Sequence, residues 1–122
     1  MKTIKTIGIL AAALVTSPLA AQQSGMAGMD HSKMQPTAAN PYGPDMMKMH
    51  EKMMAAMGAD AGETWIRKMI EHHRGAVDMS QTVLRQTQNA EIRREAQKTI
   101  ASQNREIATL NAMLRKMGKS AQ

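Results

Sequence analysis

Met69-Ile70-Glu71-His72-His73-Arg74-Gly75-Ala76-Val77-Asp78-Met79 is the stretch on which the reading of this chain turns. Apolar residues recur in it at helical rather than alternating spacing, so it belongs to an amphipathic helix. Extended outward, the apolar stripe takes in Trp65, Met69, His73, Ala76, Ser80, Val83 and Thr87, widened by Ile66, Ile70, Val77 and Leu84. Arg67, Lys68, Glu71, Arg74 and Asp78 form the opposite, wet face. The helix is expected from about Asp60 or Gly62 to about Gln88, with Asp60 and Glu63 at capping-box spacing. His73 falls near the centre of the stripe and His72 at its edge, beside Met69 and Met79.

Downstream, Ile92, Ala96, Ile100, Gln103, Ile107, Leu110, Leu114 and Met117 recur at spacings of three and four. They predict a further helix from about Ala90 to Met117, stopped by Gly118. The link near Gln88 and Asn89 is short, so the two long helices should pair as an antiparallel hairpin. Gln103, the one polar residue in the third stripe, is the expected hydrogen-bond partner of His73.

Upstream, a short helix is expected from about Asp45, which can cap it, to Met57, with Gly58 ending it. Met46, Met49, His50, Met53 and Met57 fall on one face, flanked by Met47 and Met54, with Lys48, Glu51 and Lys52 opposite. This helix would lie across the hairpin, or dimerisation would complete a four-helix bundle. The expected fold is all-α: a small antiparallel helical bundle with three helices per chain in residues 45–118.

The remaining N-terminal residues divide in two. Lys2 and Lys5 precede an apolar run from Ile7 to Leu19, and Ala20 and Ala21 follow. Residues 1–21 therefore read as a secretory signal peptide, too short to span a bilayer. Residues 22–44 are rich in Gln, Ser, Gly, Pro and Asn, lack apolar periodicity, and read as a flexible, disordered tail. Met26, Met29, His31 and Met34 lie in it. Pro36, Pro41 and Pro44 are expected to break any helix there.

Composition narrows the function. Removing Lys2 and Lys5 from the 16 basic residues leaves a surplus of four over the 10 acidic ones. Such a surplus is ordinarily a solvated surface. With Trp65 and Tyr42 the only aromatics, the chain lacks the stacking residues of a nucleic-acid binder. No aspartate-rich loop suits calcium, and Glu-x-x-His and His-Glu-x-x-His are both absent. No nucleophile is paired with a base, so an enzyme is not expected.

The donor set that remains is unusual. There is no cysteine, there are four histidines, and 14 of 122 residues are methionine. Imidazole and thioether without thiolate suit a soft ion in an oxidising compartment, copper(I) above all, with silver(I) as its mimic. Thioether binds without losing a proton. Residues at i, i+3 and i+4 on a helix converge, as Met46, Met49, His50 and Met53 do, and as Met69, His72 and His73 do.

Methionine at helical spacing is also an ordinary core filler, and a lone histidine is often only a partly buried polar group. Enrichment weighs against that explanation. All four histidines, and ten of the 13 methionines after Met1, lie between Met26 and His73. The third helix fills its stripe with Ile and Leu instead, and a tail has no core to fill.

Trp65-x-x-x-Met69-Ile70-x-His72-His73-x-Gly75-Ala76-Val77-x-Met79 resembles the signature of a bacterial exported family catalogued as a domain of unknown function, which includes CopM-like periplasmic copper-binding proteins. The likeness runs on through Ala96, Ile100, Gln103, Glu106 and Ile107. It implies a ferritin-like bundle and copper binding through Met69, His72, His73 and Met79. Trp65 stands where Phe is commoner, and the chain has one His-His segment where longer relatives have two.

The expectation is a periplasmic protein that sequesters or delivers copper, possessing no membrane span after signal cleavage and working with a copper transporter or oxidase. Its ligands would be His72, His73, Met69 and Met79 with His50, Met46, Met49 and Met53, and more weakly Met26, Met29, His31 and Met34. The rival expectations are a metal-independent, chaperone-like helical protein and a methionine sink for oxidants.

Overall fold

The computed structural model describes residues 35–122. The signal peptide, most of the tail and the tail donors Met26, Met29, His31 and Met34 lie outside these residues. The described residues hold three helices and no strand: α1 (Gly43–Ala55), α2 (Ala61–Gln86) and α3 (Ala90–Lys116). No described helix is long and apolar enough to cross a membrane.

Helix α1 begins two residues earlier than expected. Pro44 does not break it but occupies its first turn, where the missing N–H has no intrahelical role and the fixed φ suits the helix. Asp45 is not its cap. Tyr42 takes that position without a side-chain bond, and the Asp45 carboxylate accepts from Thr82 Oγ1 at 2.7 Å. The helix ends before Gly58, with Ala56 as the C-cap.

The termini of α2 and α3 follow from local chemistry. Asp60 caps α2 by accepting from Glu63 N at 2.8 Å. Glu63 returns its other bond to Ala59 N at 3.0 Å, one residue outside the usual capping box. Asn89 caps α3, accepting from both Glu91 N and Ile92 N. At its far end Gly118 adopts φ +72°, Lys119 N donates to Leu114 O and Gly118 N to Arg115 O. This is the Schellman pattern, in which the left-handed residue lets two orphan carbonyls be satisfied.

Helix α2 lies between the other two. It packs against α1 and against α3, whereas α1 and α3 do not pack on each other. The core joins Ile66 and Ile70 of α2 to Leu110 and Leu114 of α3, with Met69 and Ile107 at its edge. Among the described residues, the large side chains wholly enclosed are Ile70 and Leu114. Trp65, expected in the buried stripe, is 54% exposed. Ile92 and Met117 are also exposed. A layer of three helices covers α2 on two sides and packs no helix on either of its faces.

Glu71, expected on the wet face, is buried. Arg74 Nη1 donates to its Oε1 at 2.6 Å, and Gln122 Nε2 donates to the same oxygen at 2.7 Å. Gln122 Nε2 also donates to Arg67 O, and Lys119 pairs with Glu63 at 3.1 Å. The segment after Gly118 thus folds back over α2 and covers residues whose charge suggested solvent.

Candidate metal centre

Where α1 crosses α2, Met49 lies against Gly75. A Cβ at Gly75 would overlap Sδ, Cγ and Cβ of Met49, so only glycine admits this approach. Three contacts fix the register around the crossing: Lys68 with the backbone of Met53, Lys48 with Asp78 at 2.8 Å, and Asp45 with Thr82. Residue numbers rise along α1 as they fall along α2. His50 therefore stands level with the His72 turn, and Met46 level with Met79.

The crossing has two unlike flanks. At 100° per residue from Gly75, His72 and Met79 fall on one side of α2, and Glu71, Arg74 and Asp78 on the other, the two groups centred roughly 120° apart. The same count from Met49 puts Met46, His50 and Met53 on one side of α1, and Lys48 and Lys52 on the other. The Lys48–Asp78 bond shows which sides meet. One flank is charged: a groove lined by Lys48, Lys52, Glu71, Arg74, Asp78 and Asn104. The other carries Met46, His50 and Met53 of α1 with His72 and Met79 of α2.

On the charged flank Lys48 pairs with Asp78 and Arg74 with Glu71. The Asp78 carboxylate, by hydrogen bond and by charge, raises the Lys48 ammonium above its ordinary value. Farther along the same side, Glu63 is held down at about 2 by the Ala59 N–H, then by Arg67 and Lys119. None of these groups is a soft donor.

The adjacent histidines part company. His72 is exposed. His73 packs toward α3, where its Nε2 stands 3.0 Å from Oε2 of Glu106. Gln103 is therefore not its partner. Glu106 lies one helical turn farther along α3. Nδ1 of His73 is buried and has no hydrogen-bond partner. The two rings are 6.1 Å apart between centroids and inclined at 62°. Met69 and His73 share a hollow with Trp65, Glu106, Thr109 and Leu110. Met79 lines a separate hollow with Tyr42, Val83, Ile92 and Glu95.

The eight expected donors of the helices thus divide. His50, His72, Met46, Met53 and Met79 share one flank of the α1–α2 crossing, Met49 packs at the crossing itself, and Met69 and His73 turn toward α3. Among the described residues, no three His, Asp or Glu side chains group as ligands for a metal ion. Met46, Met53 and Met79 are the thioethers on the flank of His50 and His72, and thioether sulfur suits a soft ion.

Sequence reasoning missed Gly75 and Glu106 as parts of this architecture. Gly75 is a glycine in mid-helix, which costs about 1 kcal/mol against alanine and so hints at a packing need. Glu106 appeared only as a position of the family resemblance, and nothing in its spacing tied it to His73.

A protein-family model described as "Domain of unknown function (DUF305)" matches residues 7–114. No curated protein matches the chain.

Proposed function

The chain belongs to the DUF305 family, and on that premise we propose that it is an exported, periplasmic protein that binds copper(I), with silver(I) as a mimic, for sequestration or delivery. The observation that carries this reading is the shared flank. Two helices carry two imidazoles, His50 and His72, and three thioethers, Met46, Met53 and Met79, on one side of a crossing whose ion pairs, Lys48–Asp78 and Arg74–Glu71, lie on the other. Copper is cargo here, and no catalytic step is proposed. His73 serves the α2–α3 interface through Glu106, and Met69 the core edge, so both support the site rather than close on the ion.

The reversed order of partners along α2 and α3 supports an antiparallel hairpin. A ferritin-like bundle requires a fourth helix, which a second chain would supply. The alternative, a metal-independent interaction protein, draws support from the exposed Trp65 and methionines.

The deciding experiment titrates the purified protein with copper(I) against a competing chelator. The wild-type protein should outcompete a chelator that the His50→Ala/His72→Ala variant cannot. Equal affinity in the two proteins, with both folded by circular dichroism, overturns the proposal.

A further inference from the structure

The two flanks of the α1–α2 crossing continue onto α3. Asn104 of α3 lines the charged groove, and Asn111 accepts from Gln122 N at 2.7 Å on that same side. Glu106 and Thr109 line the hollow that holds Trp65 and Met69, on the other side. The three-helix layer therefore has a back face closed by ion pairs and by residues 119–122, and a front face that, among the described residues, carries only the His73–Glu106 and Lys98–Glu95 pairs. On the front lie Met46, Trp65, His72, Met79 and Met113, of which Met46, Trp65 and Met113 are each more than two-fifths exposed.

We propose that this front face is a self-association surface, and that a second copy of the chain packs on it face to face. Three observations select that occupant. The first is size. Helix α2 has 26 residues, about 39 Å of length, and helix axes in contact lie about 8–10 Å apart. The layer therefore presents a face of roughly 700 Å², close to the ~800 Å² that each partner buries in a stable interface. A single extended segment, about 5 Å wide, would cover only part of it.

The second is the core. Among the described residues, one chain wholly encloses only Ile70 and Leu114 of its large side chains. Two layers stacked front to front would bury Trp65 and Met113 as well. The third is charge. The ion pairs Lys48–Asp78, Arg74–Glu71 and Lys119–Glu63 all lie on the back, which leaves the front with Glu106 beside His73 and Glu95 beside Lys98, all toward its α3 side. A two-fold arrangement is self-complementary by construction, since each front meets the same front.

This surface has a consequence for the donors, which rests on the proposed copper binding. In one chain the flank is open to solvent on its outer side. A facing copy encloses His72, Met46 and Met79 and lines the opposite hemisphere with the same thioethers.

The test needs no metal. Trp65 is the only tryptophan, so its fluorescence reports the face directly. As the metal-free protein is raised from below 1 µM to about 100 µM, emission should shift to shorter wavelength and acrylamide quenching should fall, with sedimentation velocity showing dimer mass. Trp65→Glu/Met113→Glu should be monomeric at every concentration, and Arg94→Glu, on the outer side of α3, should still dimerise. A wild-type monomer at 100 µM overturns the proposal. So does a Trp65→Glu/Met113→Glu variant that still dimerises. A monomer that dimerises only when residues 22–34 are deleted assigns the face to that segment and equally overturns it. None of these outcomes touches the copper titration, so the two proposals fail separately.

Discussion

Nε2 of His73 stands 3.0 Å from Oε2 of Glu106, which ties the second member of the His72-His73 pair to α3 while the first remains exposed beside α1. Two residues adjacent in sequence thereby serve different interfaces. His72→Ala should weaken copper(I) binding at least tenfold and leave urea stability within about 0.5 kcal/mol, as surface substitutions do. His73→Ala should cost roughly 1–2 kcal/mol of stability through the lost interface contact, and change affinity little. Chelator competition and urea unfolding on the two variants separate these effects.

The Met49–Gly75 approach predicts a specific overpacking defect. Gly75→Ala adds one methyl group where Met49 already lies, and the overlap reaches Met49 Cβ, which cannot swing aside as a terminal methyl can. Helix propensity favours alanine by about 1 kcal/mol, but overpacking costs about 1–3 kcal/mol, so the net change should be destabilising. A Met49→Ala second change should recover part of the loss. Thermal unfolding of the single and double variants measures both.

Glu63 sets an acid limit on stability. Its carboxyl lies at about 2 in the folded protein against an ordinary 4.5, because the Ala59 N–H, Arg67 and Lys119 all favour the ionised form. Its contribution is present in full above the ordinary value, declines as pH falls below about 4.5, and is gone below about 2. The urea midpoint should therefore drop across that window. Glu63→Gln should flatten the drop and lower stability at pH 7.

Gln122 spans two elements: its side chain donates to Arg67 O and Glu71 Oε1, and its N–H donates to Asn111. Gln122→Ala should leave Glu71 with Arg74 as its remaining partner and cost about 0.5–1.5 kcal/mol. Amide exchange in the first half of α2 should rise with it.

Much of this architecture was legible from periodicity, and the failures share a cause. Helix α3 could be read from Ile92 to Met117, and Gly118 marked its end, because both signals are local. The choice of Gln103 over Glu106 missed by one helical turn. Periodicity says which side of α3 faces α2, but the short link at Thr87–Asn89 and its ties to Arg93 set how far along they meet. Glu71 was taken as solvated because its burial depends on Gln122, 51 residues away. Asp45 looked like a cap because Ser, Thr, Asp and Asn lead that position, yet Thr82 competes for its carboxylate across the α1–α2 contact. At the site, the donor types were visible in the sequence, but their flank was not. That depends on Met49 meeting Gly75.

Helix α1 packs on α2 alone. Its 13 residues detach by breaking one interface, whereas α2 cannot leave without dissolving the core around Ile70 and Leu114. The amides of α1 should therefore exchange with solvent through a local opening, at a free energy well below that of global unfolding. Three of the five flank donors ride on this helix, so under the proposed copper binding an ion held between α1 and α2 would be released by that local opening.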